Sequence, residues 1–355
     1  MTNRINYLDG HRGLAILLVI GYHVFSRWSE LVPYGAQFAN IPLFKAGWVG
    51  VQLFFLISGF VILMTLEKCQ GARDFLYRRW LRLFPAMLIC ALLIYLTAGF
   101  FHERPAGMPP ASSLLPSLTF IEPQWWESLL GSSPGYLEGS FWSLYVEVKF
   151  YVFSALVFYA FGREKLIYAI FGAYGLAIGV AMANAHIEHA YLAALHAGLT
   201  QLSFIHFGWF AAGAGFYLFH KSGARRWFWL SLAAALLSAG LAAEPSLKHA
   251  MAAMAIAVLF AVSVASKKIQ SALNNRLLVT MGAISYPLYL LHENMLISMV
   301  IKLGKMGWSI PPILLPALPL LLLCVAAYVI ATFGERAVRA AIELGRRNLL
   351  PLPAR

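Results

Sequence analysis

The chain has 355 residues, of which 60% are hydrophobic and 12% are charged, and its mean hydropathy is +0.70. A soluble domain normally has about a quarter of its residues charged, so this composition excludes an ordinary soluble protein and predicts a polytopic membrane protein. The net charge of +12 comes from short basic clusters between apolar runs, which is typical of orientation signals and argues against nucleic-acid binding. The apolar runs do not alternate, so we expect helices rather than a β-barrel.

Apolar runs near twenty residues long predict about ten transmembrane helices in an all-α integral membrane protein. The predicted spans are 8–27, 47–66, 80–100, 141–161, 166–185, 203–221, 226–243, 248–266, 283–302 and 312–334. We expect a single membrane domain over 1–340 and a cytoplasmic basic tail over 341–355, with no soluble extracytoplasmic domain. The polar start is too short for a cleavable signal peptide, so the first run is expected to be retained.

Basic residues alternate between the connections that join these spans. The N-terminus, the even-numbered connections and the tail carry the Lys and Arg clusters, whereas the fifth connection has none. The long third connection, roughly 101–140, carries Arg104 among four glutamates. This pattern predicts that both termini are cytoplasmic, with Lys302 and Lys305 on the ninth connection as exceptions.

The first predicted span carries two ionisable residues, Arg12 and His23. Eleven residues make three helical turns, which puts the two on one face about 16 Å apart. Ionisable residues inside a membrane usually face a cavity or a pathway. The alternatives are a positive-inside anchor for Arg12 and an interior histidine bonded to a neighbouring helix for His23.

The second predicted span contains Gly50, Ser58 and Gly59. The glycines are expected to allow close helix approach, and Ser58 is expected to donate a hydrogen bond to another helix. On its own, this pattern indicates packing.

The third predicted span opens on a basic ridge of Arg78, Arg79 and Arg82, which are three and four residues apart. Guanidinium groups bind phosphates with forked donors. The alternative is an anchor to anionic lipid head groups. Pro85 is expected in or near the first turn, where its missing N–H costs least.

The fourth predicted span carries a polar stripe, since Ser143, Glu147 and Tyr151 follow one another at intervals of four residues. A buried carboxylate without a charged partner has a raised pKa, which suits acid–base chemistry near neutrality. The alternative is a structural salt bridge between Glu147 and a cation on another span. Lys149 lies in the same apolar segment, and its expected partner is Glu147 or a carboxylate outside the span.

The ninth predicted span places Ser285, Tyr289 and His292 on one face. His292 then lies about 10–15 Å deep, and the same count puts His23 and Glu147 at comparable depths. Three ionisable residues on separate spans predict a polar chamber inside the membrane.

Together these segments make the sequence resemble the membrane-bound acyltransferase 3 family, the bacterial O-acyltransferases of surface sugars and some small molecules. The matching motifs are Arg12 and His23 with ten residues between them, GV-x-LFF-x-x-SGF from Gly50 to Phe60, an arginine pair before a proline at Arg79, Arg82 and Pro85, W-S-L-x-x-E-x-x-F-Y from Trp142 to Tyr151, and S-Y-x-x-Y-L-x-H from Ser285 to His292. Two positions depart from the family pattern, because Gln52 stands where an acidic residue is frequent and Lys149 where a glutamine is common.

The resemblance implies an O-acetyltransferase in the bacterial inner membrane, a multi-pass protein that has no permanently bound cofactor or metal. Its donor would be acetyl-CoA or another acyl-CoA, and its acceptor a hydroxyl of a cell-surface saccharide or glycolipid. The catalytic residues would be His23, Glu147 and His292, the CoA-binding residues Arg12, Arg78, Arg79 and Arg82, and the acceptor-binding residues Trp142, Ser143, Ser285 and Tyr286. Direct transfer and a covalent acyl-histidine are both open. The alternative function is a proton-coupled transporter or flippase of an acylated or acidic solute, which the absence of paired repeats disfavours.

Overall fold

The computed structural model describes residues 5–242 and 247–349, and every regular element within them is helical. In chain order the α-helices are α1 (Asn6–Tyr22), α2 (Pro42–Lys45), α3 (Val49–Leu66), α4 (Ala72–Thr97), α5 (Leu114–Thr119), α6 (Pro123–Leu130), α7 (Trp142–His186), α8 (Ala190–Gln201), α9 (Phe207–Ser222), α10 (Arg225–Ala242), α11 (Leu247–Ala265), α12 (Lys267–Leu273), α13 (Arg276–Leu291), α14 (Asn294–Lys305), α15 (Ala317–Val329) and α16 (Glu335–Leu349). The predicted helical class is confirmed. Arg4, the side chain of Arg347 and residues 350–355 of the predicted tail lie outside the described residues.

Several of these helices are long and apolar enough to cross a membrane. Within the described chain they are Val49–Leu66, Ala72–Thr97, Gly139–His186, Leu247–Ala265 and Pro312–Arg346, with a sixth if the bent pair Ala190–Gln201 and Phe204–Ser222 forms one span. Helix Arg276–Leu291 is apolar but shorter. The chain is therefore a multi-pass helical membrane protein, while the arrangement of ten spans stays a prediction.

Four predicted spans are interrupted or joined in the structure. Helix α7 covers the predicted spans 141–161 and 166–185 and is broken between them at Gly162, which has a φ of 84°. Helix α1 ends at Tyr22, and the chain continues as a π-helical turn over His23–Arg27. The predicted span 283–302 is interrupted after Leu291, and α14 begins at Asn294. π-Helical turns such as the one over His23–Arg27 are frequent at functional sites.

Helix α4 starts earlier than predicted. Asp74 lies in its first turn, where a carboxylate is favoured by the helix dipole, and accepts a hydrogen bond from the Gln70 N–H at 3.1 Å. Pro85 consequently lies well inside α4. The prediction that Pro85 occupies the first turn is wrong.

The chain divides into two compact units. Unit 1 consists of Met1–Val19, Trp48–Tyr77 and Ser143–Val279, and unit 2 consists of Ile20–Gly47, Arg78–Trp142 and Thr280–Arg355. Unit 1 contains α3, α8 to α12 and all but the first residue of α7, whereas unit 2 contains α2, α5, α6 and α14 to α16.

Close backbone contacts in unit 1 explain two glycines of α3. A Cβ atom at Gly59 would lie 2.1 Å from the carbonyl oxygen of Phe210 in α9, and one at Gly50 would lie 2.4 Å from that of Ala15 in α1. Small residues let membrane helices approach to this distance. The predicted close approach at Gly50 and Gly59 is confirmed.

An ion cluster joins three connections at one end of unit 1. Glu67 pairs with Arg163 at 3.0 Å and with Lys221 at 2.6 Å, and it accepts a hydrogen bond from the Tyr217 hydroxyl at 2.7 Å. Burial alone would raise the pKa of Glu67, but hydrogen bonds from these three partners outweigh it and lower that pKa. Residues of the second, fourth and sixth predicted connections therefore meet in one cluster.

A second ion cluster lies in unit 2. Glu103 pairs with Lys302 at 3.1 Å and with Lys305 at 3.2 Å, and it accepts a hydrogen bond from Ser298 at 3.2 Å. Burial would raise the pKa of Glu103, but a backbone hydrogen bond and the two ammonium groups lower it to about 2. The third and ninth predicted connections meet here, so the two lysines that are exceptions to the charge pattern are paired with an acidic residue.

Candidate active site

Two histidines from distant parts of the sequence meet in unit 2. His23 opens the π-helical turn after α1, and His292 follows the last residue of α13. Nδ1 of His23 lies 3.2 Å from Nε2 of His292, with the rings perpendicular and their centroids 4.7 Å apart. His292 is fully buried, whereas the side chain of His23 is 13% exposed. One ring of the pair is thus sealed and the other is accessible.

The hydrogen bonds of this pair indicate which ring nitrogens carry protons. Nδ1 of His292 lies 2.7 Å from the carbonyl oxygen of Tyr289, which can only accept, so this nitrogen is the donor. Nε2 of neutral His292 is then an acceptor, and the Nδ1–H of His23 donates to it. In neutral His23 we therefore infer that Nε2 carries the lone pair. That nitrogen is the one able to act as a general base.

A carboxylate lies beside this nitrogen. Oε1 of Glu293 is 3.7 Å from Nε2 of His23, and Oε2 accepts a hydrogen bond from the Ser140 N–H at 2.6 Å. The side chain of Glu293 is 7% exposed. A Cβ atom at Gly139 would lie 3.1 Å from each carboxylate oxygen, so the absence of a side chain there leaves room for Glu293.

The segment around Glu293 is tied to the third connection by a buried network. Glu138 pairs with Arg104 at 3.1 Å and accepts hydrogen bonds from the backbone N–H and the side-chain amide of Asn294. Arg104 also donates to the Leu137 carbonyl at 2.8 Å, and Asn294 accepts from the Ala106 N–H at 2.9 Å. Arg104 and Glu138 are almost completely buried. This network fixes both ends of the third connection against the break between α13 and α14.

Sequence reasoning missed Glu293, although it follows His292 directly. On a continuous helix neighbouring side chains point about 100° apart, so the pattern gave no reason to bring both toward His23. The available signal was the polar triplet of residues 292–294 inside an apolar segment.

The third predicted catalytic residue, Glu147, belongs to unit 1. It accepts hydrogen bonds from the hydroxyl of Ser58 and from that of Tyr151, the latter at 2.7 Å. Both of these partners are hydroxyl groups, and the role of Glu147 stays a prediction. The predicted donation by Ser58 and the polar stripe from Glu147 to Tyr151 are confirmed. Nearby, Lys149 donates to the Gln201 carbonyl and, at 3.0 Å, to Ser203.

The arginines of the predicted phosphate-binding ridge lie on α4 in unit 2. Arg78 and Arg82 are exposed, and Arg79 is half-buried. The guanidinium carbon of Arg82 lies 5.8 Å from the ring centroid of Tyr286, a cation–π contact, and the Tyr286 hydroxyl donates to the Leu83 carbonyl at 3.1 Å. Two of the three cations are thus accessible to an anionic ligand.

Arg12 has an acidic partner in its own helix. Its Nη1 lies 2.8 Å from Oδ1 of Asp9, and its side chain is 26% exposed. The sequence contains this pair at a spacing of three residues, which is a helical contact. Any phosphate at Arg12 would therefore compete with Asp9.

The remaining predicted acceptor-binding residues differ in accessibility. Trp142 is 36% exposed, whereas Ser143 and Ser285 are buried. The Ser285 hydroxyl donates to the Gly282 carbonyl of its own helix at 2.8 Å. The structure thus brings His23 and His292 together and adds Glu293, while the roles predicted for the other residues stay predictions.

Comparison with known proteins identifies the family to which this chain belongs. A family model described as an acyltransferase domain, that of the acyltransferase 3 family, matches residues 5–335. The chain belongs to the acyltransferase 3 family. The matched residues of this acyltransferase 3 chain contain all five motifs of the predicted resemblance, which is confirmed.

Curated relatives of this acyltransferase 3 chain match only part of its length. It is 27% identical over 159 residues to the peptidoglycan O-acetyltransferase OatA of Listeria monocytogenes, which covers 41% of this chain and 22% of OatA. It is 29% identical over 160 residues to YrhL of Bacillus subtilis, with 41% and 22% covered. The chain therefore spans less than a quarter of the length of these relatives. No solved structure matches it.

Proposed function

We propose that this protein is a membrane O-acyltransferase that moves an acyl group, foremost acetyl, from cytoplasmic acyl-CoA to a hydroxyl of a cell-surface saccharide or glycolipid. The observation that carries the proposal is the contact of His23 with His292, which leaves the lone pair of neutral His23 on Nε2. Membership of the acyltransferase 3 family supports the reaction class. The name of the Listeria relative, a peptidoglycan O-acetyltransferase, supports a saccharide acceptor.

The proposed chemistry centres on Nε2 of His23. This nitrogen takes the proton of the acceptor hydroxyl while the hydroxyl oxygen attacks the carbonyl carbon of the thioester. An ester C–O bond forms and the C–S bond breaks. The proton then passes to the departing sulfur, so that CoA leaves as a thiol. His292 holds His23 in the required tautomer. In a two-step variant, the same nitrogen first accepts the acyl group.

The remaining roles in the proposal follow from charge and hydrogen bonding. The cationic side chains that would bind the CoA phosphates are Arg12, Arg78, Arg79 and Arg82. Glu147 would act in catalysis through the hydroxyl groups that donate to it. The residues that would contact the acceptor are Trp142, Ser143, Ser285 and Tyr286.

The proposed setting is the bacterial inner membrane, with ten spans and both termini in the cytoplasm. The Glu67 cluster in unit 1 and the Glu103 cluster in unit 2 support this topology, because each joins connections of the same parity.

The experiment uses the purified full chain in lipid nanodiscs, acetyl-CoA labelled in its acetyl group, and a panel of peptidoglycan fragments and other saccharides. We expect label on a saccharide as a base-labile ester. A parallel measurement in sealed proteoliposomes tests the transporter alternative. Label that accumulates in the lumen without any ester would contradict the transferase proposal.

A further inference from the structure

The surroundings of His23 raise the question of what stabilises its proton during transfer. The titratable groups that face its ring include Tyr22, with ring centroids 5.2 Å apart, His292 and Glu293. His292 offers only an acceptor nitrogen, which the Nδ1–H of His23 already uses. Among these three groups, Glu293 is the one with a carboxyl side chain.

The position of Glu293 is fixed by features that a packing residue would not need. One oxygen of its carboxylate accepts the Ser140 N–H at 2.6 Å, which leaves the other oxygen facing Nε2 of His23 at 3.7 Å. Gly139 gives both oxygens their space. The backbone carbonyl of Ser140 in turn accepts the Tyr289 hydroxyl at 2.9 Å, so the anchoring peptide is itself held.

The buried Arg104–Glu138 pair supports a second contact beside this one, two residues before Ser140 and one residue after Glu293. Glu138 binds Asn294 and Ser140 binds Glu293. Two polar contacts therefore join the short segments 138–140 and 293–294. A buried ion pair is costly to desolvate, and in some proteins such pairs serve conformational specificity rather than stability. Its location indicates that the position of Glu293 is what the pair secures.

We propose that Glu293 is a positioning residue that pairs with the protonated His23 during acyl transfer and holds its ring for the return of the proton to sulfur. This inference rests on the proposed function. Oε1 of the carboxylate lies 3.7 Å from Nε2 of His23, beyond hydrogen-bond distance, while its other oxygen accepts the Ser140 N–H. When Nε2 gains a proton, the 3.7 Å contact becomes an ion pair in a site largely shielded from water, where charge interactions are strong. In the Ser–His–Asp triad a carboxylate also stabilises an imidazolium, but there it bonds the nitrogen opposite the one that takes the proton.

The test compares the pH dependence of kcat/KM for the acceptor in the wild type and in Glu293→Gln. Glutamine keeps an oxygen for the Ser140 N–H but removes the charge. We expect kcat/KM at its optimum to fall about 10- to 100-fold. The acidic limb of the profile should move to lower pH by about one unit, because protonated His23 loses its counter-charge. In Glu293→Asp the acidic limb should return part of the way to its wild-type pH.

Two further variants make the test independent of folding defects in Glu293→Gln. Gly139→Ala introduces a Cβ 3.1 Å from both carboxylate oxygens and should lower kcat/KM with the charge still present. Glu103→Gln removes a carboxylate elsewhere in unit 2 and should leave the limb unchanged. Circular dichroism and gel filtration in detergent check that each variant is folded.

The outcomes separate this inference from the proposed function. If the wild type makes no ester, or if His23→Ala keeps full activity, the proposed function fails. If transfer requires His23 but the acidic limb of Glu293→Gln coincides with that of the wild type, the assignment of Glu293 alone is overturned. A limb that moves equally in Glu103→Gln would also overturn it.

Discussion

The Glu147 group of unit 1 and the histidine pair of unit 2 both place ionisable side chains inside predicted membrane segments, but their partners differ in kind. Glu147 lies on a regular part of α7 and accepts two hydroxyl donors, Ser58 and Tyr151. His23 and Glu293 lie where helices turn or break, and they face each other across 3.7 Å. The first group is satisfied in the resting state, whereas the second has the capacity to take up a proton. We therefore expect charge changes to matter far more at His23 and Glu293 than at Glu147.

The largest expected effect is that of His23→Ala. Loss of a general base lowers the rate by about 10²- to 10⁴-fold, so transfer of acetyl label to the acceptor should be nearly abolished. The measurement is the initial rate of ester formation with saturating acetyl-CoA.

The matched control is His102→Ala, since His102 is a histidine of unit 2 whose side chain is 65% exposed. Its rate should equal that of the wild type. If both variants lost activity to the same degree, the contrast between His23 and an ordinary histidine would disappear.

Glu147→Gln should have a smaller effect, about tenfold at most. The amide oxygen of glutamine can still accept from Ser58 and Tyr151, so the hydrogen-bond geometry survives without the charge. Glu147→Leu should be worse, because it leaves two hydroxyls without their acceptor, at about 1–3 kcal/mol each if they stay buried. Activity and thermal unfolding of both variants provide the measurement. A loss in Glu147→Gln as large as that in His23→Ala would reverse the comparison between the two units.

Arg82→Gln should raise the KM for acetyl-CoA about two- to fivefold, the range expected for an exposed charge contact. The difference should shrink as ionic strength rises, because salt screens exposed charges. Arg73→Gln is the control, as Arg73 is an exposed arginine of the same helix outside the predicted ridge. Equal KM values for all three proteins would remove the phosphate-binding role of Arg82.

The smallest expected effect concerns the Glu103 cluster of unit 2. Its carboxyl has a pKa of about 2 in the folded chain against an ordinary value of 4.5. A lowered pKa means that the ionised carboxylate stabilises the folded state above pH 4.5, and that this contribution is lost as the pH falls from 4.5 towards 2. The unfolding temperature of the wild type should exceed that of Glu103→Gln by about 1–3 °C near neutrality. The gap should close in that acidic window, and a gap independent of pH would contradict the assignment.

The candidate site was predictable from the sequence where side chains follow helical spacing. Residue types and depth along regular helices were enough to select His23, Glu147 and His292 and to place Glu147 and Tyr151 on one stripe. The same reasoning selected Gly50 and Gly59 as positions of close helix contact. Each of these depends on local geometry, which the order of residues determines.

The rest depended on backbone irregularities and on long-range contacts. Glu293 reaches His23 because the predicted ninth span is interrupted at residues 292 and 293. Arg104 and Glu138 meet across 34 positions within an irregular connection, where no periodicity marks the partner. Pro85 lies inside α4 because that helix begins at Ala72.

The most direct test of the account measures ester formation and release of the CoA thiol together, with the purified full chain, acetyl-CoA and a saccharide acceptor. The account predicts one thiol released per ester formed in the wild type, with both signals lost in His23→Ala. Ester formation at the wild-type rate in His23→Ala would contradict its central claim. So would thiol release in the wild type that stays the same whether or not an acceptor is present and yields no ester.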